Sequence, residues 1–292
     1  MRLDTPEGNL APSRRAITAS LFFSGYATAA LSSCASPVRT PEDALVTEDV
    51  SFPGAGGYAL PAYVARPNDR AAHGAVIVVN EIFGIHDYIK DVCRRFAGEG
   101  YVAIAPDYFD RAGDPAPLAD FAQIREIVAA ATHEQVMGDT AGALDWLSEQ
   151  RFVRDDQIAI TGFCWGGAVT WMAAARFRKI KAGVAWYGRL TPPSADGFGA
   201  EAGRPWPVNV AANLNAPVLG LYAENDRGIP LDTVEQMRAA LAAVGNPSGS
   251  EIEVYPGTQH GFHADYRESY NAEAAAAGWA RCLAWFRAHG VG

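Results

Sequence analysis

The stretch Gln157-Ile-Ala-Ile-Thr-Gly-Phe-Cys-Trp-Gly-Gly167 decides the fold. Its first five residues form a short apolar run of the kind a buried parallel strand shows. Helical spacing then begins at Trp165 and continues to Phe177. Between them, Gly162 and Gly166 flank Cys164 at two positions on either side. A nucleophile type framed this way between strand and helix predicts a sharp elbow. The elbow residue takes a strained backbone, so a side chain at either flanking glycine would meet the crossing strand or helix. Cys164 would also stand at a helix amino terminus, where the positive end of the dipole favours a thiolate. The competing reading is a buried structural cysteine followed by a helix-packing glycine pair; the strand–turn–helix context favours the elbow.

On both sides of this elbow, β-branched runs alternate with amphipathic segments. Residues 50–64 alternate as a ribbon turned at Pro53–Gly57, and Ala75–Val79, Tyr101–Ala105, Ala182–Tyr187, Val218–Tyr222 and Glu251–Tyr255 read as strands. Helical spacing covers Asp87–Gly98, Pro117–Ala131, His133–Gln150, Asp232–Val244 and a closing segment from Glu268 to His289. Such alternation predicts the α/β class, a mostly parallel sheet with helices on both faces. Neither a repeat nor a second composition regime interrupts it, so residues 46–292 form one domain behind a linker at 35–45. In this class chemistry collects beyond the carboxyl ends of the strands.

A cysteine nucleophile needs a base, and the base an orienting acid, in the chain order nucleophile, acid, histidine. Asp226 follows the strand Val218–Tyr222, and His260 follows Glu251–Tyr255. Glu224 and His263 are their rivals; Asp226 is preferred for its place at the loop apex, and His263 reads as a solvated or capping residue. His73, His86, His133 and His289 lack a strand-end setting and read as surface or helix residues. Asn80-Glu-Ile-Phe-Gly84 directly follows the first core strand. Here the backbone N–H groups of Ile82 and Trp165 are expected to form an oxyanion hole. Glu81 is unusual beside such a hole, because its charge opposes the one being stabilised. It makes sense there if it contacts the thiol or is neutralised; otherwise it caps the next helix at the surface.

Asn80–Gly84, Gly100-Tyr-Val-Ala-Ile-Ala-Pro-Asp-Tyr-Phe109, Gly162–Gly167 and Gln259-His-Gly-Phe-His263 together resemble the dienelactone hydrolases (carboxymethylenebutenolidases), of the α/β-hydrolase superfamily. The likeness runs from about Tyr58 to the final helix. It implies a Cys164–Asp226–His260 triad, hydrolysis of a small ester or lactone through a thioester, and no cofactor or metal. It also implies that Glu81 contacts the resting thiol, and that Arg125 and Arg267 hold a substrate carboxylate. Solvated surface arginines are the alternative for both. The Pro-, Gly- and Trp-bearing loop 191–209 is expected to form a lid or rim.

The chain has 292 residues, and 24 Lys and Arg against 33 Asp and Glu give a formal net charge of −9. That balance argues against nucleic acid as a partner, which clustered cations would bind. Arg14-Arg15, an uncharged stretch from Ala16 to Ser33, and Leu31-Ser-Ser-Cys34 form the pattern of an export signal over residues 1–34. The arginine pair resembles a twin-arginine signal and the last four residues a lipobox that would lipidate Cys34. A periplasmic or membrane-anchored monomer follows, touching the membrane only through that lipid. A weak binding domain or thiol-reactive protein on the same fold is the competing function. Cys93 and Cys282 both lie in helical patterns, where buried free thiols are the commoner outcome than a pair.

Overall fold

The computed structural model describes residues 37–193 and 203–292. Eight strands form one sheet: β1 (Leu45–Pro53), β2 (Ala59–Pro67), β3 (His73–Val79), β4 (Val102–Pro106), β5 (Val153–Phe163), β6 (Ile180–Trp186), β7 (Val218–Ala223) and β8 (Glu251–Tyr255). Their order is β1-β2-β4-β3-β5-β6-β7-β8. The hairpin β1–β2 and the pair β2–β4 are antiparallel, and every pairing from β4 to β8 is parallel. Hydrophobicity explains this division. In β3, Gly74 to Val79 is buried throughout, as burial on two faces requires, whereas β1 is mostly half-buried or exposed along its edge.

Among the described residues, six helices of ten residues or more cover the sheet: α1 (Asp87–Gly98), α2 (Phe121–Ala130), α3 (His133–Glu149), α4 (Trp165–Arg176), α5 (Leu231–Ala243) and α6 (Ala272–Ala288). Local chemistry sets their starts. Asp120 accepts from the Ala122 amide at 2.9 Å and so starts α2 four residues later than the periodicity predicts. Likewise Asn271 accepts from the Ala274 amide at 3.0 Å, so α6 begins at Ala272 and not at Glu268. The residues between are held in turns, among them Arg267 N–H to Ala264 C=O and Asn271 N–H to Phe262 C=O. Cys93 and Cys282 are free and buried, and burial raises both thiol pKa values.

Two buried ion clusters tie the periphery to this frame. Asp139 on α3 receives both terminal nitrogens of Arg111, at 2.7 and 2.8 Å, and also the Ala55 amide of the β1–β2 turn at 2.8 Å. On α1, Arg95 joins Asp91 at 2.7 Å and Asp265 of the loop before α6. The strap ahead of β1 docks on the same carboxylates, Thr40 N–H on Asp91 at 2.7 Å and Val38 N–H on Asp265 at 3.2 Å. The expected amino-terminal signal and Cys34 lie outside the described residues.

Candidate active site

The chain turns from β5 into α4 at Cys164, whose φ of 55° and ψ of −112° place a non-glycine residue in strained backbone. The surrounding glycines explain how the turn closes. A Cβ on Gly162 would lie 2.1 Å from the Gly166 carbonyl oxygen, and one on Gly166 would lie 2.4 Å from the Val79 carbonyl oxygen. Real Cβ atoms do not approach that closely, so helix, elbow and β3 meet only where side chains are absent. Gly188 completes the contact from β6, its virtual Cβ falling 2.3 Å from Gly167 backbone carbon.

Strand order lines up the loops that hold the other candidates. Asp226 leaves the end of β7 buried, its Oδ1 accepting from the Gly228 and Ile229 amides at 2.8 and 3.0 Å. Those amides orient its Oδ2 onto His260 Nδ1 at 2.6 Å. Burial of the His260 ring disfavours its charge, but attraction to Cys164 and hydrogen bonds with Asp226 and Cys164 outweigh it and push the pKa up to about 10. His260 is thus hydrogen-bonded to Asp226 and lines the same cavity as Cys164. The rival Glu224 is exposed and accepts from the Gly257 amide at 2.7 Å. The rival His263 is neither solvated nor a cap. It is fully buried, meets the Tyr88 hydroxyl at 2.6 Å and stacks on Phe163, and burial lowers its pKa well below the usual value.

The two expected oxyanion donors are both fixed through the far side of their own peptide planes. The Glu81 carbonyl accepts from Asn80 Nδ2 at 2.6 Å and the Gly84 amide at 3.3 Å. In a trans peptide the next N–H points the opposite way, which orients the Ile82 amide. In the same manner Cys164 C=O accepts from the Gly167 amide at 3.0 Å, which orients the Trp165 N–H. Neither the Ile82 nor the Trp165 amide donates to a protein acceptor among the described residues. Both residues line a cavity of about 510 Å³ with Cys164 and His260.

Glu81 departs from expectation in its partners. It is fully buried, with Oε2 accepting from the Tyr266 hydroxyl at 2.5 Å and Oε1 lying 3.4 Å from Arg267 Nη2. No hydrogen bond joins it to the Cys164 sulfur in this structure. Burial would raise the Glu81 pKa, yet His86, Arg267 and Tyr266 together lower it, so the carboxylate is charged and neutralised in place. The shift stabilises the fold above the ordinary carboxylate pKa, and that contribution is lost as pH falls through the lowered value.

The expected arginines divide. Arg267 lines the cavity, whereas Arg125 is exposed on α2 and does not; Phe121, one turn earlier, reaches the cavity instead. Trp206 and Arg204 bring the far end of the 191–209 loop to the rim, residues 194–202 lying outside the description. The sequence reading missed several neighbours. His86 sits 3.8 Å from Glu81 and packs edge-on against Tyr266, while His133 is buried. Tyr187 takes a φ of 38° at the end of β6, sets its ring 5.1 Å from that of His260, and is fully buried. The strand-end rule could have found Tyr187 and Arg189, since both follow β6 directly into the cavity.

Comparison with known proteins agrees with this geometry. Residues 60–290 match the model of the dienelactone hydrolase family. The chain is 45% identical over 270 residues to an Escherichia coli (strain K12) protein named for carboxymethylenebutenolidase activity, covering 91% of this chain and 96% of that one. It is 42% identical over 281 residues to a similarly named protein of Methylorubrum extorquens, covering 96% and 94%. Among solved structures, one from Klebsiella pneumoniae described as a dienelactone hydrolase superposes with a TM-score of 0.78 at 44% identity, covering 84% of this chain and 99% of that one.

Proposed function

The chain belongs to the dienelactone hydrolase family of α/β-hydrolases, enzymes acting on esters and lactones, and from that premise we propose that it cleaves its substrate through a thioester on Cys164. The observation that supports this reading is the His260 ring, hydrogen-bonded to the buried Asp226 at 2.6 Å and lining the same cavity as Cys164.

The Cys164 thiolate attacks the carbonyl carbon, and the carbonyl oxygen, now negative, receives the Ile82 and Trp165 amides. Collapse expels the alkoxide, which takes the His260 proton, and leaves the acyl group on sulfur. His260, oriented by Asp226, then removes a proton from water as that water attacks the thioester. Thiolate leaves, the acid is released and the imidazolium is restored. Glu81, charged and already paired, holds Arg267 at the edge of the cavity rather than opposing the oxyanion.

Intact mass after mixing with a slowly released aryl ester should show one acyl group, mapping to Cys164. A kcat/KM for acylation should fall as pH rises through about 10, where His260 loses its proton. The stability sign agrees: a pKa raised above the unfolded value stabilises fully below pH 6.5 and loses that contribution as pH rises towards about 10. An unmodified cysteine under turnover would defeat the thioester. Residues 1–34 support export with lipid attached at Cys34. Incorporation of labelled palmitate, lost in Cys34→Ala, is the expected result in a lipoprotein-processing host, and equal label in both proteins would refute it.

A further inference from the structure

A second cavity lies against the first and differs from it in chemistry. It is a cleft of about 620 Å³ lined by Phe83, Gln259, Tyr266, Arg267, Glu268 and Ser269. Phe83, Gln259 and Arg267 line both spaces, which therefore join beside the reacting atoms: Phe83 follows the expected oxyanion donor Ile82, and Gln259 precedes His260. Gly261, on the other side of His260, keeps the join tight. At its φ of 80° a Cβ would fall 3.0 Å from Arg267 Cδ and 3.3 Å from Ser269 Oγ, so the cleft packs directly on the histidine loop. Beyond the join the first cavity is largely apolar, with Phe121, Trp165, Ile229 and Trp206. In the cleft, by contrast, the side chains of Gln259, Glu268 and Ser269 present an amide, a carboxylate and a hydroxyl that make no hydrogen bond or ion pair among the described residues.

The proton decides which half of an ester enters each space. In the proposed reaction His260 protonates the departing oxygen, so the alcohol leaves along the histidine loop, towards Gln259 and the cleft. The acyl group stays on the apolar side. Charge in the cleft selects the alcohol further. Glu268 is exposed and unneutralised, so it repels an anionic alcohol and accepts hydrogen bonds from hydroxyls. A quaternary ammonium would need a free aromatic face, and the Arg267 guanidinium already lies over both Phe83 and Tyr266, at 5.1 and 5.5 Å. We propose that Gln259, Glu268 and Ser269 form a leaving-group subsite for a neutral polyhydroxy alcohol esterified to an apolar acid. This rests on the ester-hydrolase reading and names the alcohol half of its substrate.

The test compares glyceryl monobutyrate with propyl butyrate. Both pass through the same butyryl-enzyme, so the alcohol is felt in kcat/KM, and its intrinsic reactivity cancels between native and variant. The glyceryl over propyl ratio should fall roughly fivefold to thirtyfold in Glu268→Ala/Ser269→Ala, the scale of one or two lost hydrogen bonds. Glu268→Gln, whose amide oxygen still accepts, should keep part of it. An unchanged ratio in the double variant would overturn the proposal. So would a native preference for butyrylcholine over glyceryl monobutyrate that Glu268→Gln abolishes, which would make the cleft an ammonium site. Where the native protein cleaves neither these esters nor p-nitrophenyl butyrate, the hydrolase reading fails by itself. Binding of glyceryl monobutyl ether, the uncleavable analogue, to full-length Cys164→Ala, followed by ligand-observed NMR, then decides the subsite: weakening on adding the double substitution supports it, and unchanged or absent binding overturns it.

Discussion

Replacing Cys164 by alanine should lower turnover of aryl esters by about ten-thousandfold or more, the scale on which removal of a nucleophile acts. The size follows from what else lines the cavity. Among its described residues there is no serine, threonine or lysine to attack in place of Cys164. The Tyr187 phenol is nearby, but burial raises its pKa well above the usual value, which keeps it protonated. Some rate should survive, because the Ile82 and Trp165 amides would still polarise a carbonyl for attack by water. Alanine meets the same backbone strain at φ 55° as cysteine does, so thermal unfolding should move by only a few degrees. Loss of activity in a protein that melts like the parent is therefore the expected pair of results. Activity within tenfold of the parent would remove Cys164 from the reaction.

Gly162→Ala should destabilise the protein by about 3 kcal/mol or more, or prevent it from accumulating folded. The new methyl would lie 2.1 Å from the Gly166 carbonyl oxygen and 2.4 Å from its carbon, both backbone atoms of the first turn of α4. No side-chain rotation relieves that overlap; the helix must move away from β5, and the sulfur with it. Gly98→Ala is the matched control. Nothing lies within 4 Å of its virtual Cβ at the end of α1, so the change should be neutral or stabilise by up to about 1 kcal/mol. Gly166→Ala should behave like Gly162→Ala in denaturant and also depress kcat in whatever folds, since its methyl would press on the carbonyls of Val79 and Asn80 and so shift the Ile82 amide. Equal denaturation midpoints for Gly162→Ala and Gly98→Ala would show that the elbow relaxes more easily than its geometry implies.

The sequence made the elbow and the parallel strands legible because each depends on local pattern. Apolar runs mark strands buried on both faces, and α1 and β8 lie where their periodicity predicts, at Asp87–Gly98 and Glu251–Tyr255. Asp226 was favoured over Glu224 by loop position, and the two amides that seat its Oδ1 are the physical counterpart of that position. The paradox of Glu81 was also visible, although its resolution was not. A carboxylate beside an oxyanion hole must contact the thiol or be neutralised, and the structure takes the second course through Tyr266 and Arg267. That choice depends on the packing of the loop between His260 and α6, which no periodicity reports. His263 was misread for the same reason: the aromatic cluster that buries it is assembled from α1, β5, β6 and α6. Arg125 is not among the described residues that line the cavity, because spacing along a helix does not say which face meets a cavity, and Phe121 of the same helix lines it.

The strap that docks on α1 affects where the protein can be cut. Val38 and Thr40 offer their amides to Asp265 and Asp91, which share Arg95. Trimming to the first strand at Leu45 would strip a donor from each carboxylate while leaving both charges buried. Asp265 immediately precedes Tyr266 and Arg267, which hold Glu81. A trimming site chosen for tidiness at the edge of the sheet would thus be felt at the cavity, and a shortened protein should begin before Val38.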